Sequence, residues 1–284
     1  MKVISWSRRT AYGVGVVMFL YLSGCGYMWS TQKEHVFEPE PILQTAPDRL
    51  GMKFEELRIP VGGGADKGEL YGWWVPSENR AAPTVLYLHG NYRNIGYNLE
   101  HTLRLHNLGY NVLLVDYRGY GKSSGGKPTE AKVYEDAEAV WQYLVKVRNV
   151  KPQQAFIYGH SLGGAIAIDL AVHHPEAAGL ITESTFTSMQ AMGELEYGYL
   201  PVGSLINQRF DSLQKIAGLK IPVLLIHGTW DKKIPVNMAQ QLFDAAPQPK
   251  MLTLIEGGEH SNSGTVGLVE YRQAVSAFIK QYTH

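Results

Sequence analysis

From Thr84 onward the chain alternates between short apolar runs and longer stretches whose apolar residues recur three and four positions apart. The short runs are Thr84–Leu88, Asn111–Val115, Gln154–Tyr158, Gly179–Thr182, Val223–His227 and Lys250–Ile255. Each has the length of a strand, and most lack the polar–apolar alternation of a strand with one wet face. The stretches between predict helices over about Asn98–Asn107, Thr129–Arg148, Leu162–Ala171, Val236–Ala245 and Val266–Tyr282. Strand–helix alternation of this kind predicts an α/β fold, with a mostly parallel sheet covered by helices on both faces. Upstream, Phe54–Ile59 and Glu69–Val75 flank Gly62-Gly63-Gly64 and predict an antiparallel pair at the sheet edge. One stretch breaks the alternation. Ser184 to Lys220 is too long for a plain crossover, and it carries Met189, Met192, Tyr197, Tyr199, Leu200, Leu205, Ile206 and Phe210. It predicts a short helical cap, about residues 184–220, over the strand ends. Its side chains suit an apolar acyl pocket, although packing onto the body alone would also account for each of them.

The first residues follow another pattern. Lys2, Arg8 and Arg9 precede an apolar run from Ala11 to Leu22, and Leu22-Ser23-Gly24-Cys25 follows. This resembles a bacterial lipoprotein signal peptide ending in its lipobox. The resemblance implies a signal over residues 1–24, cleavage before Cys25, and acyl chains on that cysteine. The run is short for a membrane span, which needs about 20 residues, and extension to Met28 makes a marginal one. An uncleaved signal anchor in the inner membrane is therefore the alternative. Gly26 after the cysteine, rather than Asp, favours the outer membrane of a bacterial envelope. Residues 25–50 then read as a tether, with Pro39, Pro41 and Pro47 between Trp29 and Asp48. The globular domain takes residues 51–284.

Composition narrows the function classes. Of 284 residues, 26 are basic and 26 acidic, so the balance is zero and offers no footprint for nucleic acid. Cys25 is the single cysteine, so an internal disulfide is impossible. No histidine spacing such as H-E-x-x-H points to a metal, and no cofactor motif stands out.

The chemistry centres on Gly159-His160-Ser161-Leu162-Gly163, a G-x-S-x-G between an expected strand and an expected helix. A serine becomes a useful nucleophile when a tight turn exposes it beside a base and beside N–H donors. The base must come from a loop at the carboxyl end of the sheet. His89 and His227 end strands, and His160 lies inside the motif, expected to point away from the serine. His173 and His174 close the helix, and His101 and His106 fall on a helix expected at the surface. His35 is in the tether and His284 is last, which leaves His260 in the loop after the final strand. The orienting acid should follow the penultimate strand, where Asp231 sits in a turn; Glu183 is the rival. Asp116 is expected to brace its loop through Arg118. The oxyanion hole needs two backbone N–H groups, and Leu162 and Asn91 are the candidates, with Tyr92 the alternative to Asn91.

Taken together, His89-Gly90-Asn91, Asp116-Tyr117-Arg118-Gly119-Tyr120-Gly121, Gly159-His160-Ser161-Leu162-Gly163-Gly164, Phe210-Asp211-Ser212-Leu213, His227-Gly228-Thr229-Trp230-Asp231 and Gly258-Glu259-His260 resemble the α/β-hydrolase superfamily. More narrowly, the chain is similar to ABHD-type serine hydrolases with a short cap, from about Met52 to His284. The resemblance implies Ser161, Asp231 and His260 as a triad. Trp230 departs from it, standing where a small residue is common, and is expected to narrow the approach to Asp231 or to line the pocket. The expected activity is hydrolysis of carboxylic esters through an acyl-enzyme, with a lean toward lipid-like esters met at a membrane. Thioester, peptide or acyl-transfer chemistry on the same triad, and a non-catalytic envelope lipoprotein, are the alternatives.

Overall fold

A computed structural model describes residues 8–79 and 81–283; Lys2 and His284, named above, lie outside them. In chain order the elements are α1 (Arg8–Val36), β1 (Glu38–Pro39), β2 (Glu55–Val61), β3 (Gly68–Val75), β4 (Thr84–Leu88), β5 (Tyr92–Arg93), α2 (Leu99–Asn107), β6 (Asn111–Val115) and α3 (Glu130–Gln142). Then come β7 (Ala155–His160), α4 (Leu162–His173), β8 (Gly179–Glu183), α5 (Met189–Tyr197), α6 (Val202–Leu205), α7 (Ser212–Ile216), β9 (Val223–Gly228), α8 (Val236–Ala245), β10 (Lys250–Ile255), α9 (Ser263–Val266) and α10 (Leu268–Tyr282).

Eight strands form the main sheet in the order β10-β9-β8-β7-β4-β6-β3-β2. Among the described residues, only β2 with β3 and β3 with β6 pair antiparallel; every other pairing is parallel. This is the expected α/β architecture, with the antiparallel pair at one edge. The central strands β4, β6, β7, β8 and β9 are buried along their whole length, which is why they read as unbroken apolar runs. The two faces of the sheet carry separate cores. One holds Trp141, Ile166 and Phe210; the other holds Trp73, Tyr158 and Phe278. The order in which strands are added reverses at β4, with β6 laid parallel on one side and β7 parallel on the other. A crevice opens at the carboxyl ends of the strands at such a point, and ligands bind there. Between β8 and β9 the cap forms as expected from three short helices, α5, α6 and α7.

The first 50 residues depart from expectation. The stretch read as a tether is helical as far as Val36, because α1 runs unbroken through Cys25. After it, Glu38–Pro39 pairs in parallel with Tyr92–Arg93 as a two-stranded sheet. Packing overrides the prolines: Phe37 is 2% exposed and packs edge-on against Phe210 of the cap. Among the described residues of this segment, Phe37 and the stretch from Glu40 to Ala46 lack regular structure.

Candidate active site

Ser161 stands alone between β7 and α4, with φ 55° and ψ −122°. That backbone conformation is costly for a residue with a side chain, and its surroundings must hold it there. Its N–H donates to the carbonyl of Glu183 at 2.9 Å, and its carbonyl accepts from Thr185 Oγ1 at 2.8 Å. The glycines let the strand and helix meet. A Cβ on Gly163 would lie 2.0 Å from the Leu88 carbonyl oxygen, and one on Gly159 2.1 Å from that of Gly163.

Two neighbouring loops bring the partners. The loop after β9 is laced to the loop after β10: Thr229 N donates to Ile255 O at 2.9 Å and Trp230 N to Gly258 O at 2.9 Å. Asp231 Oδ1 accepts the N–H groups of Lys233 and Ile234 at 2.9 and 2.8 Å. This leaves Oδ2 for His260 Nδ1, 2.8 Å away. His260 Nε2 lies 3.0 Å from Ser161 Oγ. Burial alone would raise the Asp231 pKa, but the hydrogen bonds from His260 and from the backbone outweigh it and hold the carboxyl below its ordinary value. An ionised Asp231 keeps the proton of His260 on Nδ1, so that Nε2 can accept the proton of the serine.

Asn91 and Leu162 line the same cavity as Ser161. The loop after β4 crosses close to the elbow, and a Cβ on Gly90 would lie 3.3 Å from that of Ser161. The carbonyl of Asn91 is held from the other side by Glu38 N at 3.1 Å and Tyr120 Oη at 2.9 Å. Tyr92 pairs within the small sheet, is half exposed, and does not line the cavity.

Two expectations, for His101 and for Asp116, need correction, and the alternatives left open for Glu183 and Trp230 narrow. His101 is buried, not on the surface: its ring stacks on that of His160 at 4.7 Å and its Nδ1 lies 3.3 Å from Glu183 Oε2. Glu183 is the acid of that buried cluster, not of His260. Burial would raise its pKa, but His101 and Arg104 together hold it well below the usual range. Arg118 braces its loop through Asp136, at 2.6 Å, and not through Asp116. Asp116 instead accepts from Ile95 N at 2.8 Å, and burial raises its pKa well above the ordinary value. Trp230 is 63% exposed and lines a smaller outer cleft with His260 rather than the main cavity.

The main cavity holds about 490 Å³. Met189, Met192, Tyr197, Leu200, Leu205 and Ile206 of the cap line it, as expected. Tyr199 points to solvent and Phe210 is fully buried in the core, so those two only pack or project. Two contributors escaped the sequence reading. His160 Nε2 donates to the His260 carbonyl at 2.9 Å, which fixes the loop carrying His260. The position of His160 inside the G-x-S-x-G was the available signal. The end of α1, from Met28 to Val36, also lines the cavity, and the apolar pattern Tyr27-Met28-Trp29 past Cys25 was its signal.

An elbow serine at the carboxyl end of a mostly parallel sheet, hydrogen-bonded to a histidine and through it to a carboxylate, is the layout of an α/β-hydrolase. The family model described as serine aminopeptidase, S33, matches residues 79–213. An uncharacterized protein of Mycobacterium tuberculosis is 32% identical over 261 residues, 91% of each chain. Human alpha/beta hydrolase domain-containing protein 17B is 32% identical over 211 residues, 73% of this chain and 70% of that one. The chain belongs to the α/β-hydrolase family. Two solved structures share its fold. An esterase of Pyrococcus furiosus matches with a TM-score of 0.70 at 23% identity, covering 88% of this chain and 98% of its own. An alpha-beta hydrolase from Vibrio vulnificus matches at 0.68 and 24% identity, covering 96% and 95%.

Proposed function

We propose that the protein is a serine hydrolase of carboxylic esters, with Ser161 as nucleophile, His260 as base and Asp231 as the residue that orients it. The hydrogen-bonded line from Ser161, which lines a largely apolar cavity, through His260 to Asp231 carries this reading. Ser161 Oγ bonds to the acyl carbon while its proton passes to His260 Nε2. The leaving oxygen departs with that proton, and an acyl-enzyme remains. A water then gives its proton to His260 and attacks the acyl carbon; the acid leaves and Ser161 regains its proton. The N–H groups of Asn91 and Leu162 hold the oxyanion, each donor lowering the barrier by about 2.7–4 kcal/mol.

The N-terminal segment is the proposed membrane attachment, through lipid on a processed Cys25 or through α1 itself. Among the described residues, Ala11–Val36 is the one helix long and apolar enough to cross a bilayer. A bacterial cell envelope is the compartment that either attachment implies. Mass spectrometry of the mature N-terminus separates the two: an acylated Cys25 at the start, or an intact chain.

A second reading, amide cleavage next to a free amino group, draws on the description of the matching family model and on Glu34, Glu38 and Glu196, three carboxylates lining the cavity. Assay of p-nitrophenyl esters beside aminoacyl p-nitroanilides decides between them. The ester reading expects ester turnover that Ser161→Ala abolishes. Ester turnover that persists in that variant, or turnover of the anilides alone, overturns it.

A further inference from the structure

The cavity in front of Ser161 is closed on one side by residues that precede the sheet altogether. Met28, Gln32, His35 and Val36 line it. Their spacing places them on one helical face, over the last turns of α1. Gln32 latches that face to the cap: Nε2 donates to Leu205 O at 2.5 Å, and Oε1 accepts from Asn207 N at 2.7 Å. Asn207 Nδ2 returns a bond to Trp29 O at 2.9 Å. Gln32 is 8% exposed, so both ends of its amide are spent on these contacts. A helix held this way is part of the pocket and not a passing strap.

The same helix has a second character nearer the N-terminus. The large apolar side chains from Tyr12 to Leu22 are 44–76% exposed. No other part of the described fold covers them, and water is a poor medium for so long an apolar surface. Met28 follows Leu22 by six positions, about 9 Å of helix. An apolar surface suited to lipid therefore leads within two turns to the wall of the cavity.

We propose that the end of α1 and the cap together form an acyl-chain subsite, so that the site takes amphiphilic esters with a medium or long chain, presented at the lipid surface to which the N-terminal segment attaches. The inference rests on the ester-hydrolase reading of Ser161. Met28 and Val36 on the helix line the cavity together with Met192 and Leu205 on the cap, and flexible methionines accommodate a chain of variable shape. The anchor is then a determinant of specificity, not only of location.

The test uses the full chain in detergent micelles with p-nitrophenyl acetate, octanoate and laurate. Met28→Trp places a bulky ring in the wall. The ratio of kcat/KM for laurate to that for acetate should fall at least about tenfold, because a few methylenes lose their contacts. Gln32→Leu removes the latch and should raise KM for laurate more than KM for acetate. A measurement on the unaltered protein needs no variant to fold: its labelling rate by alkyl fluorophosphonates should rise from ethyl to dodecyl. A Met28→Trp protein with the original laurate-to-acetate ratio, or a labelling rate that falls with chain length, overturns the subsite. Absence of any fluorophosphonate labelling of the unaltered protein overturns the reading of Ser161 instead.

Discussion

Asp231→Asn isolates the orienting role because the surrounding bonds dictate how the amide must sit. In the unaltered site Oδ1 accepts two N–H groups, from Lys233 and Ile234, while Oδ2 accepts from His260 Nδ1. The amide oxygen of the variant must keep the first place, since turning the NH2 there would face two donors with a third. The NH2 then faces His260. Its ring moves the proton to Nε2 and accepts from the amide with Nδ1. Nε2–H now meets Ser161 Oγ across 3.0 Å and cannot take its proton. Loss of the base by the wrong tautomer costs about 10⁴-fold in kcat, or roughly 5.4 kcal/mol; the magnitude comes from the equivalent change in a well-studied serine protease. The assay is hydrolysis of p-nitrophenyl acetate by the folded variant, with a urea midpoint alongside to show that the fold persists. Activity within tenfold of the unaltered enzyme refutes the orienting role of Asp231.

Three further outcomes test the frame around the site. Gly163→Ala places a methyl 2.0 Å from Leu88 O and should cost at least about 3 kcal/mol in urea unfolding or prevent soluble expression; a loss under about 1 kcal/mol contradicts the close approach. Asp136→Ala leaves the guanidinium of Arg118, whose side chain is 0% exposed, without its buried carboxylate and should cost about 3–5 kcal/mol, whereas Glu135→Ala, on a half-exposed partner, should cost under about 1 kcal/mol. Burial, with His101 adding to it, lowers the His160 pKa to about 3, so this ring stays neutral in the fold while the unfolded chain titrates near 6.5. Between those values the unfolded state binds more protons, and stability falls as pH drops. His160→Gln should therefore shrink the loss between pH 7 and pH 5 by about 2 kcal/mol; an equal loss in both proteins contradicts the buried neutral ring.

The parts of the molecule that a sequence displays are those whose cause is local. Strands buried on both faces read as apolar runs, so Thr84–Leu88 and Asn111–Val115 match their observed bounds. Ser161, Asp231 and His260 were legible because each must follow a strand at the same edge of the sheet, and the structure brings the three into one hydrogen-bonded line. What escaped depends on contacts between distant segments. His101 looks like a surface residue on an amphipathic helix, but β7 and β8 supply His160 and Glu183 to bury it. Arg118 has a carboxylate two residues before it, yet α3 brings Asp136 nearer. The end of α1 resembled a linker because the partners of Gln32, Leu205 and Asn207, lie more than 170 residues further along the chain.

The central claim is that Ser161 is a nucleophile activated by His260. Intact-mass measurement of the full chain after exposure to a fluorophosphonate tests it most directly. The account predicts one adduct per chain, located on Ser161 by peptide mapping, and none in Ser161→Ala or His260→Ala. An unaltered chain that stays unlabelled, or an adduct that persists when Ser161 is replaced, contradicts it.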